Sequence, residues 1–279
     1  MGKGAATWIA GLILACLPGA LLAGCLDDPN PCEVPLGTYH LALPEGAETG
    51  LPAVMFLHGA GGTGMGAINN TGMSDTILGR GYAVIGPNGL DRPGRFGTGW
   101  YFHPDYPRAR DEIAFLTQIR DDAAARFGID ADRVLLGGFS VGGSMTSYVA
   151  CEAPDSFAAY APVAGSFWRP HPESCAGPLR LLHTHGWRDR TVPLEGRPLG
   201  GGRIYQGDVW QAMQIWREVN GCDQMRADAF DTSGLFWIRR WDACTDATAL
   251  EFALHPGGHG IPQGWSDLAL DWFEGLEAE

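Results

Sequence analysis

The chain has almost no lysine. Lys3 is the single one among 279 residues, and 19 basic side chains in all face 32 acidic ones, a formal charge of −13. An acidic surface of this kind repels phosphate backbones and anionic headgroups, so nucleic acid is excluded as an expected partner. Metal-ligand spacing is missing too. His58, His183, His185, His255 and His259 could be imagined round a zinc ion, but neither His-Glu-x-x-His nor a paired Cys-x-x-Cys occurs, and no metal is expected. Gly59 to Gly64 fits Gly-x-Gly-x-x-Gly after a strand. The next strand, however, ends in Gly86-Pro87-Asn88 without the acid that holds a ribose, and no Lys-Ser/Thr closes a phosphate loop, so no cofactor is expected. Internal repeats and low-complexity tracts are absent as well, which excludes a solenoid.

What is present begins with a leader. Lys3 precedes a mostly apolar stretch from Ala5 to Leu22, interrupted by Pro18-Gly19 and followed by Leu22-Ala23-Gly24-Cys25. Such a stretch before small residues reads as a cleaved signal rather than a spanning helix. Leu-Ala-Gly-Cys resembles the bacterial lipobox, in which the signal is removed and the cysteine becomes a lipidated first residue. Residues 1–24 are therefore expected to be a lipoprotein signal peptide, Cys25 the lipidation site and 25–34 an acidic, proline-containing tether. Residues 35–279 then form one catalytic domain with no room for a second module. The protein is expected to be exported and held at a membrane by its acyl chains, in the periplasm or at the cell surface. Ordinary secretory cleavage nearby and an uncleaved anchor are the alternatives.

Cysteine usage agrees with an oxidising compartment. Of seven cysteines, Cys16 leaves with the signal and Cys25 is acylated. Disulfides are expected between Cys151 and Cys175 and between Cys222 and Cys244, the latter bracketing a hairpin, with Cys32 unpaired.

Apolar runs place strands at 39–43, 52–57, 82–85, 134–138, 158–163, 181–185 and 250–254. Helices fit between them. Asp111 to Phe127 carries apolar residues at 113, 116, 119, 123 and 127, one buried face at the 3.6-residue period, with Asp111 as its cap rather than an acid catalyst. Val209 to Val219 and Leu268 to Leu276 read similarly. Strands alternating with helices predict an α/β fold: a mostly parallel sheet with helices on both faces. The connecting loops read as short, so no large lid is expected.

Four strand ends carry the chemistry. Leu135-Leu136-Gly137-Gly138-Phe139-Ser140-Val141-Gly142-Gly143-Ser144 is a strand, a Gly-x-Ser-x-Gly turn and a small-residue helix start, the context of a nucleophile elbow. The strand at 181–185 exits through Gly186 to Asp189, and the strand at 250–254 exits through Pro256-Gly257-Gly258 to His259. Serine, acid and histidine in that chain order, each just past a strand, are the order of an α/β-hydrolase triad. A hydroxyl needs an imidazole to take its proton, and the imidazole needs a carboxylate to fix its tautomer and stabilise its cation. His255 is the rival base. Pro52 to Leu57 ends in His58-Gly59-Ala60-Gly61-Gly62, whose glycines let backbone donors approach a carbonyl, so the N–H groups of Ala60 and Val141 are the expected oxyanion hole.

His58-Gly59-Ala60-Gly61-Gly62, Gly138-Phe139-Ser140-Val141-Gly142-Gly143-Ser144-Met145, His185-Gly186-Trp187-Arg188-Asp189 with Val192-Pro193, and Gly257-Gly258-His259 together resemble the polyhydroxybutyrate depolymerase and feruloyl esterase group of secreted α/β-hydrolases. Arg110 to Leu116 and Asn220-Gly221-Cys222 fit the same group. The resemblance implies Ser140, Asp189 and His259 as the triad of a carboxylic ester hydrolase. Two positions depart from the group: Val141, where a small or polar residue is usual, and Ala60, where cysteine is common. Hydroxyalkanoate oligomers and feruloyl or short-chain esters are the expected substrates. Trp100, Trp168, Trp187 and Trp265 fall in loops beside these motifs and are expected to line an open cleft. A serine peptidase and a non-catalytic, surface-anchored binding protein are the alternatives.

Overall fold

A computed structural model describes residues 1–2, 24–26, 28–91, 97–103 and 105–277. Apart from residues 1, 2 and 24, the leader read over 1–24 lies outside these described residues. The first strands are β1 (Cys32–Val34), β2 (Gly37–Ala42), β3 (Leu51–Leu57), β4 (Ala83–Pro87), β5 (Ile129–Phe139) and β6 (Ala159–Val163). They are followed by β7 (Trp168–Arg169), β8 (Arg180–Gly186), β9 (Pro198–Leu199), β10 (Ile204–Gln206), β11 (Ala229–Ser233), β12 (Phe236–Trp241) and β13 (Ala249–His255). Helices are α1 (Gly64–Ile68), α2 (Thr71–Gly79), α3 (Glu112–Phe127), α4 (Val141–Glu152), α5 (Val209–Val219) and α6 (Trp265–Glu277).

Among the described residues ten strands form one sheet in the order β1-β2-β4-β3-β5-β6-β8-β13-β12-β11. Its centre, from β4 to β13, is parallel, and antiparallel pairs close both edges. The protein is thus an α/β-hydrolase fold with a mostly parallel sheet, as the alternation of strands and helices predicts. Side chains of a strand alternate between faces, and β3 shows the result. Met55 and Leu57 enter a core with Phe115, Met145, Val149 and Trp216, while Val54 and Phe56 enter another with Ile77, Trp265, Leu270 and Phe273. So α3, α4 and α5 cover one face of the sheet, and α1, α2 and α6 the other. The Asp111 carboxylate accepts from Ala114 N–H at 3.0 Å, and Gly128, with φ of 69°, ends α3. Asp111 is therefore the helix cap expected of it.

Among the described residues, three disulfides join Cys25 to Cys32, Cys151 to Cys175 and Cys222 to Cys244. The last two are the expected pairings, and the β11–β12 hairpin lies between Cys222 and Cys244. One cysteine expectation is corrected: Cys32 is not unpaired, because its sulfur is bonded to that of Cys25. The tether read over 25–34 is also partly structured, since Cys32 to Val34 pair with β2. Nor are all the loops short. The chain runs from β4 to α3 without a strand or helix among its described residues, and β7, β9 and β10 build a small second sheet between β6 and α5.

Candidate active site

Parallel strands all deliver their carboxyl ends to one edge, and the motif residues meet there. Ser140 stands between β5 and α4 with φ of 59° and ψ of −120°, a conformation that costs a non-glycine residue about 1–3 kcal/mol. The neighbourhood holds it there. A Cβ on Gly142 would lie 2.2 Å from the Leu57 carbonyl oxygen, and one on Gly165 would lie 2.1 Å from that of Ser140. Only glycine allows β3, the elbow and the turn after β6 to approach this closely. The part played by Gly165 is not apparent from the sequence, because its contact is made across two strand exits.

His259 Nε2 is 3.0 Å from Ser140 Oγ, and His259 Nδ1 is 2.7 Å from Asp189 Oδ2. The ring rests against Phe139 with centroids 4.8 Å apart. The other carboxylate oxygen of Asp189 accepts the backbone N–H groups of Thr191 and Val192, both at 2.8 Å. Burial opposes ionisation of Asp189, but the bonds from His259 and Val192 outweigh it and hold the carboxyl below its ordinary range. The acid is thus charged and aimed at Nδ1, and Nδ1 carries the proton. Nε2 is left with its lone pair toward the hydroxyl. His255 is arranged differently: its Nδ1 accepts from Gly257 N–H at 3.1 Å, and burial keeps the ring neutral.

Backbone donors flank the serine. Val141 is the first residue of α4, so its N–H has no partner within the helix. The Gly59–Ala60 peptide is oriented by His58. Gly89 N–H donates to His58 Nε2 at 3.0 Å, so the proton is on Nδ1, which donates to Gly59 O at 2.8 Å. Burial keeps this imidazole neutral, as that pattern requires. In a trans peptide the C=O and N–H point in opposite directions. Holding Gly59 O toward His58 therefore turns Ala60 N–H away from it, and a Cβ on Gly59 would lie 3.5 Å from Ser140 Cβ. Trp100 Nε1 anchors the same loop by donating to His58 O at 2.9 Å.

The four tryptophans separate into two kinds. Trp100 and Trp265 are each only 1% exposed and cannot line a cleft. Trp100 packs under His58 with ring centroids 5.0 Å apart. Trp265 packs on Phe56 at 5.2 Å, in space left by Gly137. Trp168 is half-buried, its Nε1 donating to Ser144 Oγ at 3.2 Å, one helical turn past Ser140. Trp187 is exposed, and its backbone N–H is tied to His255 O at 2.8 Å. An open recess of about 480 Å³ adjoins His259, lined by Arg188, Leu235, His255, Ile261 and Pro262 among others.

Comparison with known proteins bears on what such a site does. The model of the Prolyl oligopeptidase family matches residues 73–168, a span that includes Ser140 but neither Asp189 nor His259. The chain is 31% identical over 243 residues to NocK of Nocardia uniformis subsp. tsuyamanensis, a protein named as an esterase, covering 80% of this chain and 68% of that one. It is 30% identical over 250 residues to Poly(3-hydroxyalkanoate) depolymerase C of Paucimonas lemoignei, covering 79% of this chain but only 57% of that one. Among solved structures, an acetyl xylan esterase from Aspergillus awamori superimposes with a TM-score of 0.63 at 16% identity, covering 86% and 94% of the two chains. At that identity the likeness shows the fold alone.

Proposed function

Because the chain belongs to the α/β-hydrolase esterase group that holds NocK, the polyhydroxyalkanoate depolymerases and the feruloyl esterases, and is thus a carboxylic ester hydrolase, we propose that it works through a Ser140–His259–Asp189 triad and an acyl-enzyme. Ser140 Oγ attacks the ester carbonyl while His259 Nε2 takes its proton, and Asp189 stabilises the imidazolium without becoming protonated. The N–H groups of Ala60 and Val141 receive the developing oxyanion, each contributing on the order of 3 kcal/mol to lowering the barrier. His259 then protonates the departing alcohol, and water, activated by the same imidazole, releases the acid. The observation that carries this reading is the unbroken run of contacts from Asp189 Oδ2 through His259 to Ser140 Oγ, at 2.7 and 3.0 Å.

For the substrate we propose short hydroxyalkanoate oligomers or feruloyl and short-chain esters. Support comes from the open recess beside His259, the exposed Trp187 ring and the half-buried Trp168 ring, which suit a small or aromatic acyl group better than a long alkyl chain. Measured with butyrate, ferulate and palmitate esters, hydroxybutyrate dimers and a proline-containing peptide anilide, kcat/KM should be highest for one of the first two or the dimer. Palmitate as the best substrate would contradict the open site. The peptide as the best would support the serine peptidase reading, which the match to the Prolyl oligopeptidase family favours over residues 73–168.

The leader, the lipobox and three disulfides support export. We propose that in the anchored form the Cys25 thiol is alkylated to a diacylglyceryl thioether before it can pair, so that the Cys25–Cys32 bond never forms, and residues 25–34 join the membrane to the domain of 35–279. Alkylation without reduction, followed by mass spectrometry of membrane-extracted protein, should find diacylglyceryl on Cys25 and an alkylated Cys32. A disulfide-linked peptide holding both cysteines would contradict the anchor.

A further inference from the structure

Two imidazoles lie behind the proposed catalytic acid, and the mechanism above uses neither of them. His183 and His185 are two apart on β8 and share a face. Both are 0% exposed, their rings are nearly parallel at 9°, and the ring centroids are 5.4 Å apart. His185 Nε2 is 2.8 Å from Val192 O, and His183 Nε2 is 3.1 Å from His185 Nδ1.

The tautomers follow from the partners. A carbonyl oxygen only accepts, so His185 carries its proton on Nε2. In the neutral ring Nδ1 is then an acceptor, and His183 must donate to it from its own Nε2. His183 Nδ1 is left without a partner among the described residues. Burial holds both imidazoles in the neutral form, His183 well below its ordinary pKa and His185 below it, with their mutual repulsion adding to the effect on His183. Both N–H dipoles therefore point the same way, toward Val192.

Val192 is held at both ends. Its C=O accepts from His185, while its N–H donates to Asp189 Oδ1 at 2.8 Å. The N–H of His185 also lies 3.6 Å from Asp189 Oδ2, the oxygen bonded to His259. We propose that His183 and His185 are positioning residues: His183 fixes the tautomer and plane of His185, and His185 holds the turn from 189 to 192 so that Asp189 stays in line with His259. A displacement near 1 Å at a reacting group can cost about 100-fold in rate. The proposal rests on Asp189 being the triad acid.

His185→Phe keeps a ring and removes both nitrogens. With a butyrate ester it should lower kcat about 100-fold with KM changed less than twofold, measured where circular dichroism shows a folded protein. His185→Gln, whose amide N–H can still reach Val192 O, should recover most of that loss, and His183→Phe should lose about 5- to 10-fold. Full kcat in His185→Phe, or a His185→Gln variant as slow as His185→Phe, would overturn the proposal. Imidazole ¹⁵N shifts of the wild-type protein test it without a variant. Both rings should be neutral Nε2–H tautomers at pH 7 and above, and an Nδ1–H tautomer at His185 would refute the relay. An Asp189→Asn control separates the two readings: full activity there means that Asp189 is not the acid, whereas an inactive control beside a fully active His185→Phe removes only the relay.

Discussion

Ser140→Ala is expected to lower kcat for a chromogenic butyrate ester by at least about 1,000-fold, because triad members act as a unit and removing one removes nearly all of their joint effect. KM should change little, since the hydroxyl is not what holds the substrate. The protein should still fold. Ser140 Oγ is bonded to His259 Nε2, and the backbone of the elbow is held by the tight approaches at Gly142 and Gly165. Alanine keeps the Cβ that makes a φ of 59° costly, so its melting temperature should stay within a few degrees of wild type. Ser140→Gly should be just as inactive but more stable than Ser140→Ala by about 1 kcal/mol, because glycine adopts that conformation without strain. A Ser140→Ala enzyme retaining a tenth of wild-type kcat would mean that another group attacks the ester.

The second large effect separates two histidines at one strand exit, His255 at the end of β13 and His259 in the loop after it. His259→Ala should cost about 1,000-fold or more in kcat, as it removes the proton acceptor 3.0 Å from Ser140 Oγ. His255→Ala should keep more than a tenth of the rate. Its Nδ1 bonds to Gly257 N–H at 3.1 Å, so its loss loosens the loop without removing a proton acceptor. The opposite ranking would move the base to His255.

Much of this arrangement is legible in the sequence, because strand ends are marked there. The apolar runs before His58, Ser140, Gly186 and His255 are strands buried on both faces, and the glycine turns that follow them announce where the chain must leave the sheet. The order of serine, acid and histidine then places them on one edge. What was not legible depends on contacts distant in sequence. Trp100 and Trp265 stand beside motif residues, yet both are buried, Trp265 because Gly137 leaves room for it against Phe56. The Cys25–Cys32 bond could not be inferred either, since cysteine spacing does not determine connectivity. The pairing of His183 with His185 required knowing where Val192 returns after the turn. Motif residues thus followed from local pattern, while the groups supporting them depended on packing.

The most direct test of the central claim is to treat the purified protein with a fluorophosphonate and locate the adduct by peptide mass spectrometry. An activated serine reacts and an ordinary one does not. The account predicts a single adduct per chain on the peptide containing Ser140, with loss of esterase activity in proportion to labelling, and none in the His259→Ala variant. An adduct on another residue, or full ester hydrolysis by a chain that takes up no label, would contradict it.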